Sequence, residues 1–273
     1  MAAKRWRPRR KLARLARSIA WTMRNARNGA RIRHELLDGT EAIGDLARYE
    51  RRFTSQNGED GVLAALFAVL GRGAGSFVEF GAGRRCNALR LACRDGWTGL
   101  WMDPGGAWPD APLPVHREFV TAENVEALFD RYAVPERPDL LSLDIDGNDW
   151  WVWRAIRSRR PRVVVIEQNS ALGATASLTI PYDPAFRWSG SDYFGASLLA
   201  LERLGRAKGY ALVGSESSGT NAFFVDRELL GSRLSEISVA SAWRAPRLSA
   251  GARWPAEDRP RVEVGADGEP IIA

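Results

Sequence analysis

From about residue 54 onward, short continuous apolar runs alternate with stretches of helical spacing. Val62, Leu63, Leu66, Phe67 and Leu70 fall on one face of a helix, with Glu59 and Asp60 in its first turn and Gly71 to stop it. Apolar runs follow at 77–80, 99–102, 115–120, 140–145 and 163–166, and helical patterns lie between them at 87–94, 125–132 and 149–157. Strands that are apolar throughout, separated by helices, are the signature of a parallel sheet covered on both faces. The predicted architecture is α/β and doubly wound. After a helix at 196–208, two further β runs at 210–214 and 221–225 flank the polar stretch SESSGT. So short a turn forces those two runs to pair antiparallel. The sheet is therefore expected to be mostly parallel, with a C-terminal antiparallel hairpin.

These patterns divide the chain into three parts. Residues 1–50 are a basic, partly helical extension, residues 51–235 the α/β domain, and residues 236–273 an extended tail rich in Pro, Gly and Arg. In the extension, Leu12, Leu15, Ala16, Ile19, Met23 and Ala26 form a helical stripe, with Arg10, Arg14, Arg17, Arg24 and Arg27 mostly off it. A basic amphipathic helix suits peripheral contact with an anionic membrane or a partner protein. A solvated arm fits the same residues.

Charge sharpens this division. The net charge is +6, yet residues 1–34 carry twelve Lys and Arg and no acid, so the remaining chain is acidic by six charges. A nucleic-acid surface would need basic residues on the fold itself, and no specific nucleic acid is expected as a partner. No stretch reaches the ~20 apolar residues that cross a bilayer, and no uninterrupted apolar segment follows the basic N-terminus. A cytoplasmic protein, peripheral to the membrane if the arm binds there, is the expectation. Cys86 and Cys93 lack a CxxC or Cys/His context and are expected as buried free thiols. His116 is expected to be structural, and Trp150, Trp151 and Trp153 to belong to the core.

Candidate chemistry gathers at the predicted carboxyl ends of the strands, where ligands bind in open α/β sheets. The first strand ends in FVEFGAG, with Gly81, Ala82 and Gly83 as a tight turn that lets a ligand approach the backbone. Glu79, two residues before the turn, would repel a pyrophosphate and suits the cationic methionine end of S-adenosylmethionine. Asp103 ends the second strand in LWMDPGG, where an acid can accept ribose hydroxyls; an ordinary turn Asp is the alternative. Asp144 and Asp146 close the fourth strand in LLSLDIDGNDWWVW, and Glu167, Gln168 and Asn169 close the fifth in VVVIEQN. Asp144, Glu167 and Asn169 are candidate oxygen ligands for a hard cation such as Mg²⁺. Without metal, Asp144 or Glu167 is a candidate general base, and Asp144 also borders the expected cofactor site. Asp146, Gly147 and Asn148 read equally as a turn that caps the next helix.

With these pieces in order, the chain resembles the FkbM family of methyltransferases. The resemblance spans about residues 55–229 and rests on SQNGED, FVEFGAG, LLSLDIDGNDWWVW, VVVIEQN, IPYDP, YFGASLLAL and GYALVGSESSGTNAFFV. It implies a class I methyltransferase (Rossmann-like) fold, S-adenosylmethionine as donor, and O-methylation of a small-molecule or glycan acceptor: a sugar, a glycan or a natural product. The chain departs from the family at Gly83-Arg84-Arg85, where an Asn and an acid are usual. Asp103-Pro104-Gly105 replaces Glu-Pro-Asn, and Gln168 stands where an aromatic is usual. Two alternatives stay open: a methyltransferase-like binding protein of weak turnover, suggested by Arg84 and Arg85, and a nucleic-acid methyltransferase. The latter lacks an Asp/Asn-Pro-Pro-aromatic motif and a Pro-Cys nucleophile. The long segment 170–193, with Tyr182, Phe186 and Trp188, is expected either to cover the catalytic edge or to form a satellite apolar cluster.

Overall fold

The computed structural model describes residues 42–108, 111–247 and 254–272. The basic stripe of the N-terminal extension lies outside them. The main sheet has seven strands: β1 Ser76–Phe80, β2 Thr98–Met102, β3 Val115–His116, β4 Leu140–Leu143, β5 Val163–Glu167, β7 Tyr210–Ser215 and β8 Asn221–Asp226. A further short strand, β6 Leu178–Thr179, belongs to a second sheet. The spatial order is β3-β2-β1-β4-β5-β8-β7. The first five strands in that order run parallel, and β8 pairs antiparallel with β5 and with β7. The fold is thus α/β with a mostly parallel sheet closed by an antiparallel hairpin.

Alternation along each strand explains the two layers. Val78, Phe80, Met102, Leu141, Leu143, Val164, Ile166 and Phe224 face helices α3 Val125–Arg131, α4 Asp149–Ala155 and α5 Leu198–Ala207. Phe77, Trp101, Leu140, Val163, Val165 and Phe223 face α1 Glu59–Leu70 and α2 Leu89–Asp95. Trp150 and Trp153 are fully buried in the first layer. Trp151 is half-buried, and its indole donates to Ile180 O at 2.8 Å. Apolar burial on both faces is what the continuous strand runs require.

Several boundaries differ from expectation, each for a local reason. The third strand was expected over 115–120, but only Val115 and His116 pair with β2. Asn124 draws the following residues off the edge, accepting from Thr121 N at 2.8 Å and donating to Phe119 O at 2.8 Å. Helix α4 stops at Ala155, and the carboxylate of Glu126 takes Arg157 N and Ser158 N. Cys86 is buried, but Cys93 is exposed. It follows Leu91 by two helical positions, which turns it away from the core that Leu91 enters.

The C-terminal stretch folds back on the domain. It forms a short helix α6 Val239–Ala242 and two strands, β9 Val262–Val264 and β10 Pro270–Ile271, in a second sheet of order β10-β9-β6. Val264 is fully buried, and its carbonyl accepts from Arg203 and from Ser177 Oγ. Among the described residues no helix is long and apolar enough to cross a membrane.

Candidate functional site

The strand order reverses direction at β1, with β2 on one side and β4 on the other, so a crevice opens at their carboxyl ends. A cleft of about 260 Å³ occupies that position. Gly81, Met102, Asp103, Asp144 and Asp146 line it from the strand ends, and Phe119 and Phe186 from the loops. The crevice depends on Gly81. Its φ is +72°, and a Cβ there would stand 1.6 Å from Asp144 O. Only glycine lets β1 turn while its backbone lies this close to β4. Ala82 is buried and Gly83 exposed, and neither lines the cleft. Both Gly81 N and Ala82 N donate to Met102 O, which ties the turn to the end of β2.

Glu79 is placed differently from the expectation that it meets the cofactor. In β1 it is level with Trp101 and Ser142 on the flanking strands. Its carboxylate accepts from Trp101 Nε1 at 2.9 Å, Asn87 N at 2.5 Å and Ala88 N at 3.0 Å. It is 3% exposed and does not line the cleft. Burial pushes its pKa up, and the donated hydrogen bonds oppose that shift. The same contacts explain why α2 begins at Leu89 and not at 87. Two amides at the entrance to that helix, which a pyrophosphate-binding fold would offer to phosphate, are already taken by a carboxylate.

Asp103 lines the cleft and is also a turn residue: its Oδ1 accepts from Gly105 N at 2.7 Å. Its other oxygen makes no hydrogen bond among the described residues.

The acids after β4 and at the end of β5 come together. Carboxylate oxygens of Asp144, Asp146 and Glu167 lie within 4.8 Å of one another. Asp146 is held at φ +56°, in the left-handed region. Asp149, at the start of α4, fixes this loop by accepting from Ile145 N at 2.9 Å and Gly147 N at 3.0 Å. Burial raises the pKa of Asp144 and of Glu167, and the neighbouring carboxylates raise both further. Burial also raises Asp146, with the charge of Asp103 adding to it. Asp149 is pushed up to about 6, again mainly by burial.

Asn169 does not join this cluster. Its Nδ2 donates to Asp192 O and Phe194 O, and its Oδ1 accepts from Ala171 N. All of its amide chemistry goes to anchoring the chain after β5, and Asp146 takes the third place in the acidic group.

Sequence reasoning passed over Gln56, Glu118, Phe119 and Val120, which also line the cleft. The apolar run predicts a strand through Phe119 and Val120, and its early end at His116 sends them into the cleft. Gln56 sits in a loop organised by Asp60, which accepts from Phe53 N, Thr54 N and Ser55 N.

Of the aromatics in segment 170–193, Phe186 alone lines the cleft. Its ring packs against Gly147, where a Cβ would meet it at 2.4 Å. Tyr182 ties the segment down, accepting from Ala122 N and bonding Glu123, and Asn148 Nδ2 donates to Asp183 O. Trp188 instead packs edge-on against Phe194.

No protein-family model and no characterised protein matches the chain. Four carboxylates line the cleft, those of Asp103, Glu118, Asp144 and Asp146, and no Lys or Arg lines it among the described residues. Such a cleft favours a cationic or neutral ligand over a phosphorylated one.

Proposed function

We propose that the protein is an S-adenosylmethionine-dependent methyltransferase acting on a hydroxyl of a sugar, glycan or natural product. The observation that carries this is the acidic cleft at the reversal point of the sheet. A dinucleotide would place phosphates there, against Asp103, Asp144 and Asp146 and beside helix amides already held by Glu79. A nucleoside whose far end is positively charged meets favourable charge throughout. The strand order, with an antiparallel hairpin closing a parallel sheet, supports the same class.

The residues divide the work. Asp103 is the acceptor for ribose hydroxyls, and Met102, Phe119 and Val120 supply apolar surface for the base. Gly81 admits the ligand close to the backbone, and Asp144 and Asp146 face its cationic end. S-adenosylmethionine supplies a methyl group activated by a positively charged sulfur. The acceptor hydroxyl must be aligned with that methyl group and must lose its proton as the new bond forms. Asp144 and Glu167 are the groups for the proton: Asp144 is half-buried and Glu167 buried, and both have affinities for it raised towards the range useful in a general base. Phe186 offers a flat apolar face to the acceptor side.

The test is methyl transfer from radiolabelled donor in host lysate, with the labelled fraction classified. Label in glycans or hydroxylated small molecules is expected. Label in RNA would replace the acceptor class, and donor binding without transfer would make the protein a binding module.

A further inference from the structure

We infer that Asp144, Asp146 and Glu167 form a divalent-cation site of the Mg²⁺ or Mn²⁺ type on the acceptor side of the cleft. The catalytic role of this ion rests on the methyltransferase proposal above; the binding site itself stands on the following observations.

The three carboxylates converge within 4.8 Å without help from any base. Among the described residues none of them forms an ion pair, although thirteen such pairs are formed elsewhere. Like charges this close repel strongly at low dielectric, so a cation is the partner their geometry lacks.

Three buried acceptors around the group point the same way. Glu167 is 9% exposed and its Oε2 has no hydrogen-bond partner. Asn148, outside the acidic trio, lines the cleft with Asp144 and Asp146 and is 5% exposed. Its Nδ2 is committed to Asp183 O, and its Oδ1 is left unpartnered. Asn221, opposite Glu167 in the β5–β8 register, has an orphan Oδ1. All three are acceptors. A site short of donors and rich in carboxylate and amide oxygen, with no His or Cys in the group, selects a hard cation.

The backbone is shaped to match. Asp146 stands in the group with a left-handed backbone, and the hydrogen bonds from Ile145 N and Gly147 N to Asp149 hold the loop on either side of it. A residue held at such a φ near a ligand cleft marks a position where the side-chain direction matters. Bound there, the ion would orient and acidify an acceptor hydroxyl with Asp144 and Glu167 as its ligands; without the ion, those carboxylates take the proton themselves.

The experiment is Mn²⁺ binding followed by electron paramagnetic resonance on the full chain, in the absence of any nucleoside, with Mg²⁺ as competitor. One ion per chain is expected, displaced by Mg²⁺, with affinity at least tenfold weaker in Asp146→Asn and in Glu167→Gln. Glu118→Gln, an acid of the same cleft outside the group, should stay within about threefold of the wild type. Circular dichroism establishes that each variant is folded, and Asp146→Asn, with its exposed side chain, carries the test if Glu167→Gln is not. Absence of Mn²⁺ binding at millimolar concentration, or equal binding by Asp146→Asn and the wild type, would overturn the site. Calorimetry with S-adenosylhomocysteine in EDTA separates the two proposals: nucleoside binding without ion binding sinks the ion alone, and the reverse sinks the donor alone.

Discussion

A Cβ on Gly81 would lie 1.6 Å from the carbonyl oxygen of Asp144, so β1 and β4 leave the sheet with their backbones in direct contact. That contact makes one floor out of two strand ends and brings the glycine turn and the acidic group to the same cleft. Gly81→Ala cannot be absorbed by a rotamer change, because the obstacle is backbone and φ is positive. A loss of about 2–5 kcal/mol is expected by urea denaturation, from strain and overpacking together. Nucleoside binding should fall with it.

Glu79→Gln should behave in the opposite way. Its carboxylate serves Asn87 N, Ala88 N and Trp101 Nε1, so the amide substitution leaves one donor without a good acceptor. A stability loss of about 1–3 kcal/mol is expected, with donor affinity in the folded fraction changed by less than about threefold. Collapse of donor binding at unchanged stability would place this carboxylate on the ligand.

The role of Glu79 was legible in principle. Strand alternation puts it on the face of Phe77, the face covered by α1 and α2, and so away from the cleft. Proximity to the glycines in sequence concealed that parity. The mostly parallel sheet and its antiparallel hairpin could be read because continuous apolar runs and one very short connection constrain how the strands pair. Asp144 and Glu167 could be placed because adjacent parallel strands end side by side. Asn169 could not be excluded from sequence, since its partners at 192 and 194 lie in a loop with no local signal. The returning tail did carry one: Asp267-Gly268 between VEV and EPII is a hairpin signature.

Asp149 provides a pH test of the loop that carries Asp146. Its folded pKa of about 6 lies above its ordinary 3.8, so the folded state holds the proton more tightly than the unfolded chain does. The associated stability is full below pH 3.8 and is lost as pH rises through about 6. Denaturant titrations should show the wild type falling relative to Asp149→Asn across that window, by on the order of 2–3 kcal/mol. A pH-independent difference would contradict the burial of an ionisable Asp149.

Turnover should depend on the acidic group. Asp144→Asn and Glu167→Gln keep shape and remove charge, so methyl transfer is expected to fall by about 10²–10⁴-fold, with donor binding retained in Glu167→Gln and weakened in Asp144→Asn. Because burial and mutual repulsion raise both carboxyls, the metal-free enzyme should gain activity with rising pH above the usual carboxylate range. Full activity in both variants would remove this group from the mechanism.

The most direct measurement is a calorimetric titration of the purified chain with S-adenosylhomocysteine and, separately, with NAD. Saturable binding of the first is expected, weakened by about 1–3 kcal/mol in Asp103→Ala through loss of the ribose contact, with no heat from NAD. Tight NAD binding together with no response to S-adenosylhomocysteine or S-adenosylmethionine would contradict the assignment of this cleft to a cationic methyl donor.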